Sequence, residues 1–308
     1  MRNAFAAEMT SIASIDKRIV LLSGDIGNRL FDNFKKNTHE QFFNCGVAEA
    51  NMISLASGMA LCGLRPIAYT ITPFITARCF EQIKVDMCFY NVPVIIVGVG
   101  GGLSYAELGA THHACEDIAL MRVLPNMTVI CPADPLEVRL ALQAAVKHEG
   151  PVYIRLGKKG EPMIHKEEPD FIIGKGIVIQ RGEKVCLLST GSILPVVMEA
   201  AVKLEGVGIK AQVVHFHTVK PLDEGLLADI FTGFNLVVAV EEHSLVGGFS
   251  SGIAEWRADQ TSQQGRLMRI GVADKFFCEA GKQKYARKCF GLASEDIAEK
   301  VLRFHSVK

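Results

Sequence analysis

The sequence has no net charge, no long apolar run and no paired cysteine motif. Its 33 Lys and Arg residues balance 33 Asp and Glu residues, which argues against a broad electrostatic footprint for nucleic acid. No apolar stretch approaches the roughly 18 residues of a membrane-spanning helix. The N-terminal segment lacks the continuous apolar core and cleavage site of a signal peptide, and predicts an amphipathic helix. We therefore expect a cytoplasmic protein that binds neither nucleic acid nor membrane.

The cysteines are numerous for a chain without a CxxC pair. There are nine, an odd number, and most of them lie inside apolar segments. This distribution predicts buried, reduced thiols rather than a disulfide framework. Their positions are 45, 62, 79, 88, 115, 131, 186, 278 and 289.

Predicted strands and helices alternate through the first half of the chain. The strands are 18–23, 41–45, 65–71, 92–99, 127–131 and 152–156. The helices are 47–62, 74–89, 115–124 and 135–148. Two of the helices follow cap-and-proline pairs, Thr72-Pro73 and Asp134-Pro135, which predict an N-cap side chain and a proline at the first helical position. Such alternation predicts a parallel sheet with helices on both faces.

A charged segment with two prolines, 157–170, interrupts this pattern. Beyond it, strands are predicted at 184–189, 211–216, 236–241 and 266–272, and helices at 193–205, 248–260 and 294–305. We therefore predict an α/β fold of two domains, each a mostly parallel sheet covered by helices. The predicted domains are 1–160 and 175–308, joined by a linker at 161–174.

Two acidic residues stand where a parallel sheet would place a ligand. Asp25 follows the first strand in the turn SGDIGN, at the strand end where such sheets bind ligands. A simple turn residue is the alternative for Asp25. Glu49 opens an almost wholly apolar helix, so its carboxylate is either favoured by the helix dipole or retained for function.

A glycine-rich loop at 98–109 precedes two adjacent histidines. A dinucleotide fingerprint would require glycine where Leu103 stands, so the loop predicts close backbone approach to a ligand rather than nicotinamide binding. His112 and His113 follow it. A zinc site would need further ligands, for which Cys115 and Glu116 are weak candidates. A histidine that donates a proton or hydrogen bond in a cleft is favoured.

Several segments, taken in order, carry a family resemblance. GVAEANM, RPIAYTITPF, ARCFEQIKVD, LSYAELGATHHACEDIALMR and PVYIRLGKKG lie in the first domain, and VKPLD and AVEEHSLVGGFSSGIAEW in the second. The chain resembles the thiamine-diphosphate enzymes of the transketolase family over essentially its whole length. The resemblance implies a pyrimidine-binding domain followed by the family's C-terminal domain. The resemblance does not extend to the family's N-terminal domain, in which a Gly-Asp-Gly motif and a downstream Asn bind diphosphate and magnesium.

The resemblance therefore implies the C-terminal subunit of a split transketolase. Such a subunit shares thiamine diphosphate with an N-terminal partner subunit, which also holds the magnesium ion. The expected assembly is an α2β2 heterotetramer, with no metal site on this chain. The implied reaction transfers a two-carbon ketol unit from a ketose, expected to be phosphorylated, to an aldehyde.

The resemblance also assigns cofactor contacts. Glu49 would hydrogen-bond the aminopyrimidine N1′ and favour the imino tautomer that takes the thiazolium C2 proton. Phe74 would stack on the pyrimidine, with an ordinary core position as the alternative. Arg78 would face the pyrimidine or the substrate, or else form a structural ion pair, and Asp25 would contribute to cofactor binding.

Substrate contacts follow in the same way. His112, in the turn GATH, would polarise the ketose oxygen or move protons during carbon–carbon cleavage. His113 is the second choice and is expected to contact substrate. Arg155 would grip a substrate phosphate, for which its bidentate fork is suited.

Three alternatives remain open. The beta subunit of a 2-oxo-acid dehydrogenase shares both domains, and a 1-deoxyxylulose-5-phosphate synthase-like enzyme is also related. The turn GATHH and the segment IRLGKKG favour the transketolase interpretation over the dehydrogenase. A non-catalytic scaffold is the third alternative. Glu49 argues against it, because an unused acid in an apolar pocket is costly.

Overall fold

The computed structural model describes residues 1–27, 29–261 and 265–306. Its elements form two α/β domains, and the sheets are mostly parallel and flanked by helices, which confirms the predicted fold class. Asn28, the last residue of the SGDIGN turn, lies outside the described residues. None of the described helices has the length and apolar content that crossing a bilayer requires.

The strands of the first domain are short, apolar and mostly buried on both faces, as expected of a covered parallel sheet. They are β1 (Ile19–Ser23), β2 (Phe42–Asn44), β3 (Arg65–Ile71), β4 (Ile95–Val99), β5 (Thr128–Ile130) and β6 (Val152–Leu156). The strands of the second half are β7 (Ile177–Gln180), β8 (Val185–Ser189), β9 (Gln212–His215), β10 (Thr218–Lys220), β11 (Leu236–Ser244) and β12 (Arg266–Val272).

Helices cover both sheets. The α-helices of the first domain are α1 (Arg2–Ile15), α2 (Asp32–Asn37), α3 (Glu49–Leu61), α4 (Thr72–Ile75), α5 (Phe80–Gln82), α6 (Asp117–Arg122) and α7 (Pro135–Lys147). Those of the second domain are α8 (Leu194–Glu205), α9 (Glu224–Gly233), α10 (Phe249–Ala258), α11 (Gln283–Cys289) and α12 (Ser294–Ser306).

The two sheets differ in how they are completed. The first has the strand order β10-β5-β6-β4-β3-β1-β2, and the second has the order β12-β11-β8-β9-β7. In the first sheet β10 pairs antiparallel with β5, so a strand from the second half of the chain extends the sheet of the first domain. The sequence did not predict β10, which is only three residues long. It ties the two domains together through backbone hydrogen bonds.

The predicted helix 74–89 is wrong in its continuity. The chain instead forms α4, a turn, α5 and a π-helix at Ile83–Cys88. In the turn, Thr76 Oγ1 donates to the Thr72 carbonyl and Cys79 Sγ to the Phe74 carbonyl. These local side-chain bonds compete with continuous helical bonding.

The two predicted helix caps have opposite outcomes. Asp134 caps α7 as predicted, since its Oδ1 accepts a hydrogen bond of 2.8 Å from Glu137 N. Thr72 is not an N-cap. It is the first residue of α4, and its buried Oγ1 has no hydrogen-bond partner among the described residues.

The cysteine prediction is correct only in part. All nine thiols are free, but only four of them are buried: Cys79, Cys88, Cys131 and Cys186. Cys62 and Cys278 are exposed because one ends α3 at the surface and the other lies in the loop after β12. Apolar neighbours in the sequence therefore did not guarantee burial.

Candidate active site

Glu49 lies at the centre of the candidate site. It is the first residue of α3, its side chain is only 2% exposed, and Arg78 Nη1 donates to its Oε2 at 2.7 Å. The turn after β1 packs directly against it. A Cβ at Gly24 would lie 3.0 Å from Thr70 Oγ1 and 3.5 Å from Glu49 Cγ. The carboxylate thus lies at the carboxyl ends of β1 and β3, where parallel sheets bind ligands.

A chain of contacts leads from this carboxylate through Arg78 and Phe74 to His112. The Arg78 guanidinium carbon lies 4.2 Å from the centroid of the Phe74 ring, in a cation–π contact. The Phe74 ring meets the His112 ring edge to face, with centroids 5.2 Å apart. The structure therefore brings together four predicted site residues, Glu49, Arg78, Phe74 and His112, which we call the Glu49 cluster.

The carboxylate of Glu49 is not alone in an apolar pocket. The half-exposed Arg78 pairs with it, so charge and hydrogen bonding compensate its burial. Of the alternatives left open for Arg78, the ion pair is the one formed, and it lies inside the candidate site.

The side chains of the adjacent histidines diverge. His112 faces Phe74, and its Nδ1 lies 2.9 Å from Thr111 Oγ1. His113 is buried and turns away, with its Nε2 3.2 Å from the Ala106 carbonyl oxygen. Burial and the neighbouring His113 lower the pKa of His112, which favours its neutral form at pH 7.

Asp25 lies in the turn next to Gly24 but points to the surface. Its φ is 57°, and its Oδ1 accepts a hydrogen bond of 2.9 Å from Asn44 Nδ2. This bond links the ends of β1 and β2 and is the turn contact expected of the simpler interpretation. Cofactor binding by Asp25 stays a prediction.

Arg155 is held inside the protein by internal hydrogen bonds, and its contact with a substrate phosphate stays a prediction. Its Nε donates to Asp117 Oδ2 at 2.7 Å, and its Nη2 donates at 3.0 Å both to the Ala114 carbonyl and to the Glu242 carbonyl. The residue is only 5% exposed. Because β6 is covered on both faces, the side chain points into the protein. Two of its three guanidinium nitrogens, Nε and Nη2, thus donate to internal acceptors.

Sequence analysis missed Tyr105, which lies next to His112, and Lys158, which lies over the Tyr105 ring. The Tyr105 ring lies 6.0 Å from the His112 ring, centroid to centroid, and Lys158 Nζ lies 4.6 Å from the centroid of the Tyr105 ring. Tyr105 follows the glycine-rich run, and a Cβ at Gly100 would overlap its ring. The sequence signal that could have identified Tyr105 is an aromatic residue that follows glycines, since glycines permit close packing against its ring.

The Glu49 cluster fits the cofactor that the resemblance implies. It combines a buried carboxylate with a half-buried aromatic ring, the pair that a flat aminopyrimidine would use for hydrogen bonding and stacking. Next to it, Thr70 Oγ1 is buried with no partner among the described residues. Within the described ranges, no group of three or more His, Cys, Asp or Glu side chains is arranged to hold a metal ion.

Two family models together cover most of the chain. Residues 1–161 match the transketolase pyrimidine-binding domain, and residues 174–297 match the transketolase C-terminal domain. The glycine loop, the Glu49 cluster and Arg155 all lie within the first match.

Individual relatives show the same pattern. The chain is 34% identical to a putative transketolase C-terminal section of Methanocaldococcus jannaschii, covering 98% of this chain and 95% of that protein. It is 35% identical to one subunit of an apulose-4-phosphate transketolase of Actinobacillus succinogenes, covering 87% and 86%. Among solved structures, a split-gene transketolase described as an inactive beta4 tetramer superposes with a TM-score of 0.89 at 34% identity, covering 98% and 96%.

Proposed function

The chain belongs to the transketolase family, in which it corresponds to the C-terminal subunit of a split enzyme, and we propose that it carries half of a ketol-transfer site. With a partner chain it transfers a two-carbon ketol unit from a ketose to an aldehyde. The observation that supports this proposal most strongly is the Glu49 cluster, in which a buried carboxylate, an aromatic ring and an imidazole converge at the carboxyl end of the sheet.

Thiamine diphosphate is the cofactor of this family. When bound, it would supply a thiazolium ring whose C2 carbon becomes nucleophilic on losing its proton and which serves as the electron sink when the ketose carbon–carbon bond breaks. The residues of this chain bind and orient the cofactor and the substrate, and they move the protons that the reaction requires.

Glu49 is the group that exchanges a proton with the pyrimidine during activation. Arg78 engages Oε2, which leaves Oε1 to hydrogen-bond the pyrimidine N1′. Because the carboxylate is buried at the start of α3, it is fixed in place and shielded from water. Phe74 provides the aromatic surface for the pyrimidine, and Arg78 stacks on that ring and orients the acid.

His112 is the group of the cluster that acts on substrate. Its lowered pKa keeps the imidazole neutral at pH 7, so it donates as N–H rather than as a cation. A donor at the ketose oxygen stabilises negative charge that grows in the transition state. His113 faces the Ala106 carbonyl instead, so substrate contact falls to His112.

The partner supplies the remaining half of the site. We assign to the partner the binding of the diphosphate and of the magnesium ion. Two partner chains are expected to assemble with two copies of this chain as an α2β2 heterotetramer. Relatives named as a transketolase subunit, a C-terminal section and a split-gene transketolase support a partner chain. The substrates are sugars of carbohydrate metabolism, and the exposed thiols of Cys62 and Cys278 favour the reducing cytoplasm.

The test is ketol transfer by this chain with and without its partner. A neighbouring open reading frame with the Gly-Asp-Gly…Asn motif identifies the partner to co-express. The mixture, with thiamine diphosphate and magnesium, is expected to transfer a two-carbon unit from ketoses to aldehydes, and each chain alone is expected to transfer none. Transfer by this chain alone, or none by the assembled pair across ketose and aldose substrates, would refute the proposal.

A further inference from the structure

Residues 102–114 form a loop that carries His112 and is closed at its base. Gly102 and Ala114 pair there in an isolated antiparallel bridge. Gly102 N donates to the Ala114 carbonyl at 2.8 Å, and Ala114 N donates to the Gly102 carbonyl at 2.9 Å. Tyr105 lies on the same loop, with its ring centroid 6.0 Å from that of His112. The position of the imidazole in the Glu49 cluster therefore depends on what holds the base of this loop.

A carboxylate of the second domain holds that base. Glu242, on β11, is only 2% exposed, and its Oε1 accepts a hydrogen bond of 2.6 Å from Leu103 N. Its main-chain carbonyl accepts from Arg155 Nη2 at 3.0 Å, and the same nitrogen donates to the Ala114 carbonyl. Glu242 thus engages both sides of the base, directly at Leu103 and through Arg155 at Ala114.

Gly102 permits this close approach. Its φ is 66°, and a Cβ there would lie 2.7 Å from the Glu242 carbonyl oxygen and 2.8 Å from Glu242 Oε1. A larger residue would be strained and would push the loop and the second domain apart. At this position of the glycine-rich loop, the close approach is to Glu242.

The Glu242 carboxylate is in turn fixed by two side chains of α11. Arg287 donates to Oε2 from Nε at 2.6 Å and also from Nη2, and Gln283 Nε2 donates to Oε1 at 2.9 Å. Charge-assisted hydrogen bonds of this kind are short and directional. They compensate the burial of the carboxylate and hold Oε1 against the loop.

We infer that Glu242 is a positioning residue for ketol transfer, which fixes the loop 102–114 so that His112 reaches the ketose oxygen in the geometry that the reaction requires. Its hydrogen bonds go to the loop, to Arg155 and to α11, so it acts through the loop. Displacement of a reacting group by about 1 Å can cost roughly 100-fold in rate. The inference rests on the proposed function for the reaction, whereas the position of the loop can be measured on this chain alone.

Steady-state kinetics of the assembled enzyme provide the first test. Glu242→Ala is expected to lower kcat about 10- to 100-fold, because Leu103 N loses its acceptor and His112 leaves its position. Glu242→Gln, whose amide oxygen still accepts from Leu103 N, is expected to retain more of kcat. Exchange of the thiazolium C2 proton is expected to stay within a few-fold of the wild-type rate in both variants, because Glu49 lies on α3 and not on this loop.

The adjacent Glu241 provides a matched control. It is also buried, but its Oε2 accepts from Phe249 N at 2.7 Å and its Oε1 from Ser250 N at 2.9 Å, at the start of α10. Glu241→Ala is therefore expected to lower the stability of the fold and to leave kcat within a few-fold of wild type. A comparable loss of kcat in Glu241→Ala and Glu242→Ala would show a purely structural role and would overturn the inference.

A second background separates positioning from a general loss of structure. In His112→Ala the donor that the loop positions is absent, so adding Glu242→Ala is expected to lower kcat by less than about 3-fold more. Fully additive losses overturn the inference. Gln283→Ala is a milder variant, which removes one donor to Glu242. It is expected to lower kcat about 3- to 10-fold in the wild-type background and less than about 2-fold in His112→Ala, so the test stands even if Glu242→Ala does not fold.

The pKa of His112, followed by NMR in the isolated full chain, reports on the loop without any reaction. Burial and the neighbouring His113 lower this pKa in the wild type. Glu242→Ala is expected to raise it toward 6.5, because a released loop exposes the imidazole, whereas Glu241→Ala is expected to leave it unchanged. An unchanged His112 pKa in Glu242→Ala overturns the inference. Absence of transfer by the wild-type assembly contradicts the proposed function instead, and this titration then decides the role of Glu242 by itself.

Discussion

Arg78 Nη1 donates a hydrogen bond of 2.7 Å to Glu49 Oε2 across 29 residues of sequence. The same guanidinium stacks on Phe74, whose ring contacts His112. One arginine therefore fixes the relative positions of an acid and an aromatic ring. This arrangement gives the acid a defined orientation before any ligand arrives, which is what a proton-transfer group requires.

Thiamine diphosphate is expected to bind the isolated chain poorly. This chain offers the pyrimidine a hydrogen bond and a stacking surface, whereas we assign the charged diphosphate and its magnesium to the partner. Affinity measured by calorimetry is expected to be at least about 100-fold weaker, or roughly 2.7 kcal/mol, for the chain alone than for the assembly. Equal affinities would contradict the division of the site between two chains.

Replacement of His112 is expected to lower turnover, whereas replacement of His113 is expected to lower the stability of the fold. His112→Ala removes the donor to the ketose oxygen and is expected to lower kcat about 100- to 1,000-fold with little change in cofactor affinity. His113→Ala leaves the Ala106 carbonyl without its buried partner and is expected to cost about 1–3 kcal/mol of unfolding free energy. Steady-state kinetics of the assembly and urea unfolding of the chain separate the two. Loss of turnover in His113→Ala but not in His112→Ala would show that the two roles are exchanged.

Arg155→Met is expected to destabilise the fold rather than to weaken substrate binding. It leaves Asp117 buried without its cation, at a cost of about 3–5 kcal/mol of unfolding free energy. The double variant Arg155→Met/Asp117→Leu is expected to recover much of that loss. Arg18→Met, which breaks an exposed pair with Asp16, is the control and should cost less than about 1 kcal/mol. A stable Arg155→Met chain with a raised KM only for phosphorylated acceptors would instead support the phosphate-binding role.

The orientation of the Arg155 side chain illustrates what the sequence could and could not predict. Runs of β-branched residues between helix-like segments predicted the alternating fold, because a covered parallel strand is apolar on both faces. The same strand pattern does not say whether a single arginine within β6 points inward. That depends on Asp117, 38 residues earlier, which the fold alone brings within hydrogen-bond distance.

Similar reasons explain the other differences. β10 is a short edge strand that forms only because the second domain places it beside β5, so no local sequence pattern predicts it. The Glu49 cluster was predicted residue by residue, since its motifs carry the family resemblance. Its pairing of Glu49 with Arg78 depended on the turn after α4, which was predicted as continuous helix.

His217 is expected to make stability fall as pH falls below about 6.5. Burial, with a smaller effect from the charge of His215, lowers its pKa from 6.5 to about 4. Between these values the unfolded chain binds a proton that the folded chain does not, so stability present above pH 6.5 is lost toward pH 4. His165 has the opposite effect on the pH dependence of stability. Its hydrogen bond to Glu137 raises its pKa, so the stability that it contributes is present at low pH and is lost as the pH rises.

Comparison with His217→Gln isolates this contribution. The unfolding free energy of the wild type relative to the variant is expected to fall by up to about 3 kcal/mol between pH 7 and pH 4. Urea unfolding at a series of pH values measures it. His39→Gln, at an exposed histidine, is the control and should run parallel to the wild type. If the pH profile of His217→Gln also ran parallel to that of the wild type, His217 would be excluded as the source of this pH dependence.

Exchange of the thiazolium C2 proton with deuterium, followed by NMR in the assembled enzyme, tests the central role of Glu49 most directly. In Glu49→Gln the amide oxygen can still accept from Arg78, but the amide cannot cycle a proton with the pyrimidine. Exchange is therefore expected to slow by about 100-fold or more, the scale of a lost general acid–base group. Glu81→Gln, at an exposed acid on α5, should exchange at the wild-type rate. An exchange rate in Glu49→Gln within a few-fold of wild type would contradict the account.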